Sequence, residues 1–257
     1  MKKTATIILT MFILFIVACS TTENIYQVIE TKSNDVKLNN DVYSYSNEDL
    51  TIFYDLWGEG GGLNIRVYNK TLTPMNLDLA RCHYIKNGES MDFYTGSEKT
   101  QTETGAQTVR SSQVQISTQT EKSVKSKEKE IIEIPPLSFV RFNKYDISGN
   151  RYKDCVLREY EKNAPAFLTF NDTTSPVKFR VYLTYSFSPT FEKVKTVDNL
   201  LWISKITNMY EVDFQGKASK IYPRPECKDD DPIDGFEYPY SKQNSFYFQY
   251  EITTSLF

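Results

Sequence analysis

Residues able to do covalent chemistry are few and poorly placed for it. His83 is the sole histidine of the chain. Cys82 and Tyr84 flank it in a stretch that reads as a strand, where successive side chains face opposite ways. Cys82 and His83 therefore cannot work as a nucleophile–base pair. A Ser–His–Asp triad would have to bring His83 to a serine on another element, and no G-x-S-x-G elbow supplies that serine. Cys82 with His83 is also too small a donor set for zinc. The glycines at 58 and 60–62 lack the following lysine and helix of a phosphate-binding loop. Asp229 to Gly235 carries Asp230 and Asp234, but Pro232 takes the third ligand position and Ser241 the twelfth, where a calcium loop wants glutamate. A solvated acidic turn is the better reading. Two carboxylates flanking a sugar bond need no motif, so a carboxylate-based glycan hydrolase stays open as the alternative to a non-enzymatic protein. The expectation is no catalytic residue, no metal and no cofactor.

Three elements bear on where these residues work. Lys2 and Lys3 precede an apolar run from Ile7 to Val17, closed by small Ala18 before Cys19. The run is shorter than the ~20 residues of a membrane-spanning helix, so residues 1–18 read as an export signal. Its ending, Ile16-Val17-Ala18-Cys19, resembles the lipobox of bacterial lipoproteins. That resemblance implies acylation of Cys19, which becomes the mature N-terminus and ties the protein to the membrane. The alternative is a plain secretory leader cut near Ala18. Cys82, Cys155 and Cys227 remain, an odd number with no C-x-x-C spacing, which allows at most one disulfide without requiring any.

Composition excludes further classes. With 30 basic and 33 acidic residues the net charge is −3, and loss of Lys2 and Lys3 lowers it further. Such a chain has no basic footprint for nucleic acid. Eighteen tyrosines and sixteen phenylalanines, with no clear helical period, favour pleated half-buried surfaces.

Alternation marks the strands. Leu50, Ile52, Tyr54 and Leu56 face one way, with Thr51, Phe53, Asp55 and Trp57 opposite. The glycines at 58–62 turn the chain, and Leu63, Ile65 and Val67 resume the pattern. Val177, Phe179, Val181, Leu183, Tyr185 and Phe187 form the clearest apolar face. Residues 131–134 and 138–145 read as two strands paired across Pro135-Pro136. Residues 96–130 hold no aromatic side chain and too few apolar ones for a core, which predicts a long mobile excursion with a weak hairpin around Val109 to Ile116. Loops this long are often functional. Phe246, Phe248, Tyr250 and Ile252 alternate near the end.

The C-S-T-T head followed by Tyr26-Gln27-Val28 is similar to that of lipoproteins of Bacteroidota-type bacteria. The run I-R-V-Y-N-K-T (65–71), leading to N-L-D-L (76–79) and Ile134-Pro135-Pro136, resembles the immunoglobulin-like domains of small bacterial lipoproteins. The resemblance implies a mainly β protein: an antiparallel immunoglobulin-like β-sandwich over 41–208 with a polar insertion at 96–130. An acylated tether with an edge strand (19–40) would precede it, and an irregular C-terminal extension (209–257) with a terminal strand would follow. It further implies an outer-membrane lipoprotein, facing the periplasm or the cell surface. Such a protein would act as a binding or assembly module of the envelope with a protein or glycan partner; a fimbrial or adhesin-type subunit is a further alternative. Asp172-Thr173-Thr174 resembles the short acceptor at which such bacteria O-glycosylate exported proteins, which implies Thr173 as a glycan site.

Overall fold

The computed structural model describes residues 20–96, 98–111, 114–154, 157, 166–221 and 233–255. Cys19, Cys155 and Cys227 lie outside them. In chain order the strands are β1 (Ser20–Ser33), β2 (Lys37–Asn39), β3 (Val42–Ser46), β4 (Leu50–Asp55), β5 (Gly62–Asn69), β6 (Met75–Asp78), β7 (His83–Lys86), β8 (Glu89–Asp92) and β9 (Glu98–Ser111). They continue as β10 (Val114–Lys127), β11 (Ile131–Ile134), β12 (Phe139–Asp146), β13 (Ala166–Thr169), β14 (Lys178–Ser186), β15 (Lys195–Tyr210), β16 (Ala218–Ile221), β17 (Ile233–Phe236) and β18 (Ser245–Ser255). One short helix, α1 (Glu211–Gln215), follows β15. The protein is mainly β, and its named strands pair antiparallel.

Two large sheets share one apolar core. The first runs β11-β6-β14-β15-β1-β18, with β7 joined to β14, β8 to β7 and β13 to β15. The second runs β12-β5-β4-β3-β2. Alternation decides which side chains meet. Leu50, Ile52 and Tyr54 from β4, and Leu63, Ile65 and Val67 from β5, point inward and are buried against Phe179, Val181, Leu183 and Tyr185 of β14. Burying each such side chain contributes about 1.5–3 kcal/mol. The outward partners Arg180 and Tyr182 stay partly exposed. The same alternation would turn Thr184 and Ser186 outward, yet both are buried. At Thr184 the reason is local: its hydroxyl donates to the Arg81 carbonyl, in the chain just before β7, at 2.8 Å. Inside the core the Tyr54 hydroxyl donates to Asn199 Oδ1 at 2.8 Å, which joins the two sheets without an unpaired polar group.

The Pro135-Pro136 corner does not turn a hairpin. β11 pairs with β6 in the first sheet and β12 with β5 in the second, so the chain changes sheets there. Asn69 holds the corner. It is fully buried, and its Nδ2 donates to the carbonyls of Thr73, Ile134 and Pro135 at 2.8, 3.1 and 3.3 Å. Its Oδ1 accepts from the backbone N–H and hydroxyl of Thr71. One amide thus organises both the N-K-T turn and the Pro-Pro corner.

Both chain ends enter the first sheet. β1 is not an edge strand: it lies between β15 and β18. Ile25, Tyr26, Gln27, Val28 and Ile29 are all buried, so both of its faces are covered. Gln27 is tolerated inside because its Nε2 donates to Asn208 Oδ1 and the Tyr152 carbonyl, both at 2.9 Å, while its Oε1 accepts from the Tyr152 N–H. The core therefore extends past 41–208 to include β1 and the start of β18, where Phe246 is fully buried.

The insertion at 96–130 is a two-stranded ribbon. β9 and β10 pair from Glu98↔Lys127 to Ser111↔Val114, well beyond the short hairpin read around Val109 and Ile116, and bond to no other described strand. Each strand meets the other's backbone groups along one edge, and the outer edges pair with no described strand. At its neck Glu128 accepts from the Thr95 N–H (2.8 Å), the Thr95 hydroxyl (3.0 Å) and Lys144 Nζ (3.2 Å). Burial works to raise the Glu128 carboxyl, but these donors outweigh it and pull it down to about 2.

Candidate functional site

An aromatic recess forms where four distant parts of the chain meet. Phe214, on α1, stacks on Tyr26 of β1 with ring centres 4.1 Å apart. Around it stand Tyr247 of β18 at 4.9 Å, Tyr238 at 5.8 Å and Trp57 at 6.0 Å. These rings, with Gln215, Ser241 and Gln249, line a cavity of about 250 Å³. Phe214 is buried, whereas Tyr238 is 39% exposed and forms part of the mouth.

Each wall has a local cause. α1 is a single turn that serves to deliver Phe214. It ends at Gly216, whose φ of 70° is easily reached only without a side chain, and whose missing Cβ leaves room for Pro239. The turn is braced by Gln215 Nε2, which donates to Glu211 Oε1 at 2.8 Å, and by Asn24 Nδ2, which donates to Glu211 Oε2 at 3.3 Å. Tyr247 is fixed by the glycine turn: the Gly60 N–H donates to its carbonyl at 2.9 Å, and its own N–H donates to the Gly58 carbonyl at 3.0 Å. Gly61 sits so close to Phe246 that an added Cβ would lie 2.7 Å from the ring. The glycines thus dock the β4–β5 turn against β18 and bring Trp57 to within 5.2 Å of Tyr247. Burial raises the Tyr26 hydroxyl, aided by the Glu211 carboxylate, and raises that of Tyr247, aided by Glu59. Both hydroxyls are therefore neutral donors at ordinary pH.

The recess can hold a ring-shaped ligand by stacking and orient its edge through amides and hydroxyls. Among the described residues its lining carries no carboxylate.

The residues singled out from sequence lie elsewhere. Cys82 is buried against Thr184, and burial pushes its thiol up to about 12, which makes it a packing residue. His83 faces the other way, as the strand period requires, and its Nδ1 lies 2.8 Å from Asp92 Oδ1 on β8. Among the described residues no group of three or more His, Cys, Asp or Glu is placed to hold a metal. Asp229 to Pro232 lie outside the described residues; Asp234 pairs with Lys220 across β16 and β17. Thr173 is exposed in a turn organised by Asn171, whose Oδ1 accepts from the Thr173 hydroxyl at 2.7 Å and its N–H at 2.9 Å. Asp49 ties the sheets together by accepting from the Tyr185 hydroxyl (2.7 Å) and Lys195 Nζ (2.6 Å).

Sequence reasoning did not find the recess, because Tyr26, Trp57, Phe214, Tyr238 and Tyr247 share no motif. The signals that pointed to it were the glycine cluster after Trp57 and the surplus of tyrosine. Compared with protein families, curated proteins and solved structures, the chain matches none.

Proposed function

We propose that the protein is a non-enzymatic binding module of a bacterial envelope, held at the outer membrane by lipid on Cys19, and that the aromatic recess takes a neutral glycan. The observation that carries this reading is the lining: stacked rings with amides and a hydroxyl at the edge, uncharged, in a cavity large enough for a sugar residue. Trp57 and Tyr238 offer flat faces to a sugar ring, and Gln215, Gln249 and Ser241 offer partners for its hydroxyls. The leader and Ile16-Val17-Ala18-Cys19 support the anchor. The hydrolase alternative needs two facing carboxyls, which the lining does not provide. The fimbrial alternative needs an open slot for a donor strand; β1 instead lies paired on both sides. We assign the fold to the immunoglobulin-like sandwiches on the strength of two facing antiparallel sheets and a chain that changes sheets at Pro135-Pro136. An O-glycan on Thr173 belongs to the same reading, supported by its exposure in a polar turn.

The test is a pulldown from solubilised membranes with wild-type and Trp57→Ala bait, after digestion of glycans in a parallel sample. Recovery of a glycoconjugate that is lost with Trp57→Ala and with glycan digestion is expected. Recovery unchanged by either treatment would contradict the reading.

A further inference from the structure

The outer face of the second sheet carries a second site of opposite character. Register places Phe53, Arg66 and Arg141 in one row across β4, β5 and β12, with the two arginines directly opposite each other. Like charges in that position repel. Aromatic rings hold them there: the Arg66 guanidinium lies 4.6 Å from the Phe53 ring centre and 5.4 Å from that of Phe139. The Arg141 guanidinium lies 5.3 Å from the same Phe139 ring, so both charges gather around one phenylalanine. Elsewhere on the protein Arg81 meets Asp78 and Arg180 meets Asp198. Among the described residues neither Arg66 nor Arg141 has an acidic partner.

The two guanidiniums open onto a cavity of about 430 Å³. Asn64, Asn143, Asp55 and Gln243 share its wall. Asn143 reaches it because β12 departs from regular register between Phe142 and Tyr145. Gln243 Oε1 accepts from the Tyr43 N–H at 3.0 Å, which orients the amide and leaves its nitrogen available to a ligand. Guanidiniums are forked donors matched to a planar carboxylate. The amides and the single Asp55 carboxylate suit hydroxyl groups beside it.

We propose that this row is a binding site for a carboxylate-bearing sugar, its acid group held between Arg66 and Arg141 and its hydroxyls by Asn64, Asn143 and Asp55. The site is separate from the aromatic recess and stands whether or not that recess binds a glycan. Calorimetric titration of the purified protein with a galacturonate oligosaccharide, the matched neutral galactose oligosaccharide and inorganic sulfate tests it. The galacturonate should bind, and the affinity should fall as salt is raised. Arg141→Gln and Arg66→Gln should each weaken binding about tenfold or more, with Trp57→Ala without effect. Arg141 is exposed on the sheet surface, so its variant should keep the wild-type melting temperature and the loss reports the site. Equal affinity of the Trp57→Ala protein for the neutral sugar, equal affinity for sulfate, no binding of galacturonate, or full binding by Arg141→Gln would each overturn the proposal.

Discussion

Gly58, Gly60 and Gly61 offer a graded test of how the glycine turn docks against β18. A Cβ on Gly58 meets nothing within 4 Å and its backbone is not left-handed. Gly60 is equally open but has φ of +83°, which costs a residue with a side chain about 1–2 kcal/mol. Gly61 has φ of +71° and in addition would place its Cβ 2.7 Å from two ring carbons of Phe246. Phe246 is fully buried and cannot swing aside, so forcing in a methyl group adds about 1–3 kcal/mol. Ala at 58 should thus be near neutral, at 60 cost about 1–2 kcal/mol, and at 61 cost about 2–5 kcal/mol. The gain from restricting the unfolded chain is common to all three and cancels in the comparison. For a protein of this size each kcal/mol moves the melting temperature by about 2–4 °C, so thermal denaturation separates the three variants. Combining Gly61→Ala with Phe246→Leu should recover the clash but not the backbone strain, a non-additivity expected of touching residues. If Gly61→Ala melts with Gly60→Ala, the glycine turn does not rest on Phe246 and the placement of Trp57 and Tyr247 falls with it.

Other variants probe other contacts. Val181→Asp buries an unpaired carboxylate and should cost several kcal/mol. Arg180→Asp only exchanges an exposed ion pair with Asp198 for a repulsion and should cost about 1 kcal/mol or less, so equal melting temperatures would refute the register of β14. Glu128 is held below its ordinary pKa in the folded protein, so its contribution is full above about pH 4.5 and is lost as pH falls towards 2. Glu128→Gln should flatten urea stability over that window by about 1 kcal/mol, allowing for screening at this partly exposed site; an unchanged pH profile would show that the neck contacts are not formed in solution. Cys19→Ser should abolish labelling by a fatty-acid probe in the native host, and retained label would refute the anchor.

The strands whose two faces meet different surroundings were legible before the fold was known. β4, β5 and β14 each have one dry face, and their alternation shows it. β1 was legible only as an edge strand, because its neighbours β15 and β18 lie more than 160 residues away and Gln27 is buried beside Ile25 and Ile29. The partners of β11 and β12 were misread for a related reason. Pro135-Pro136 announces a turn but not which sheet the chain joins next, a choice made by Asn69 at a separation of 65 residues. α1 is too short to show a period, and without it Phe214 has no visible reason to meet Tyr26. The recess is thus a product of topology: its rings come from positions 26, 57, 214, 238 and 247, and only the fold brings them together.

Tryptophan fluorescence tests the central claim most directly, because the chain has just two tryptophans and only Trp57 lines the recess. Trp202 is buried and serves as the internal reference. Titration with neutral oligosaccharides from the host envelope should produce a saturable change in emission. That change should vanish in Trp57→Phe, while binding measured by calorimetry should be lost in Trp57→Ala and Tyr238→Ala and kept in Arg141→Gln. A saturable signal that survives removal of Trp57, or binding that ignores both Trp57 and Tyr238, would contradict the assignment of the recess as the ligand site.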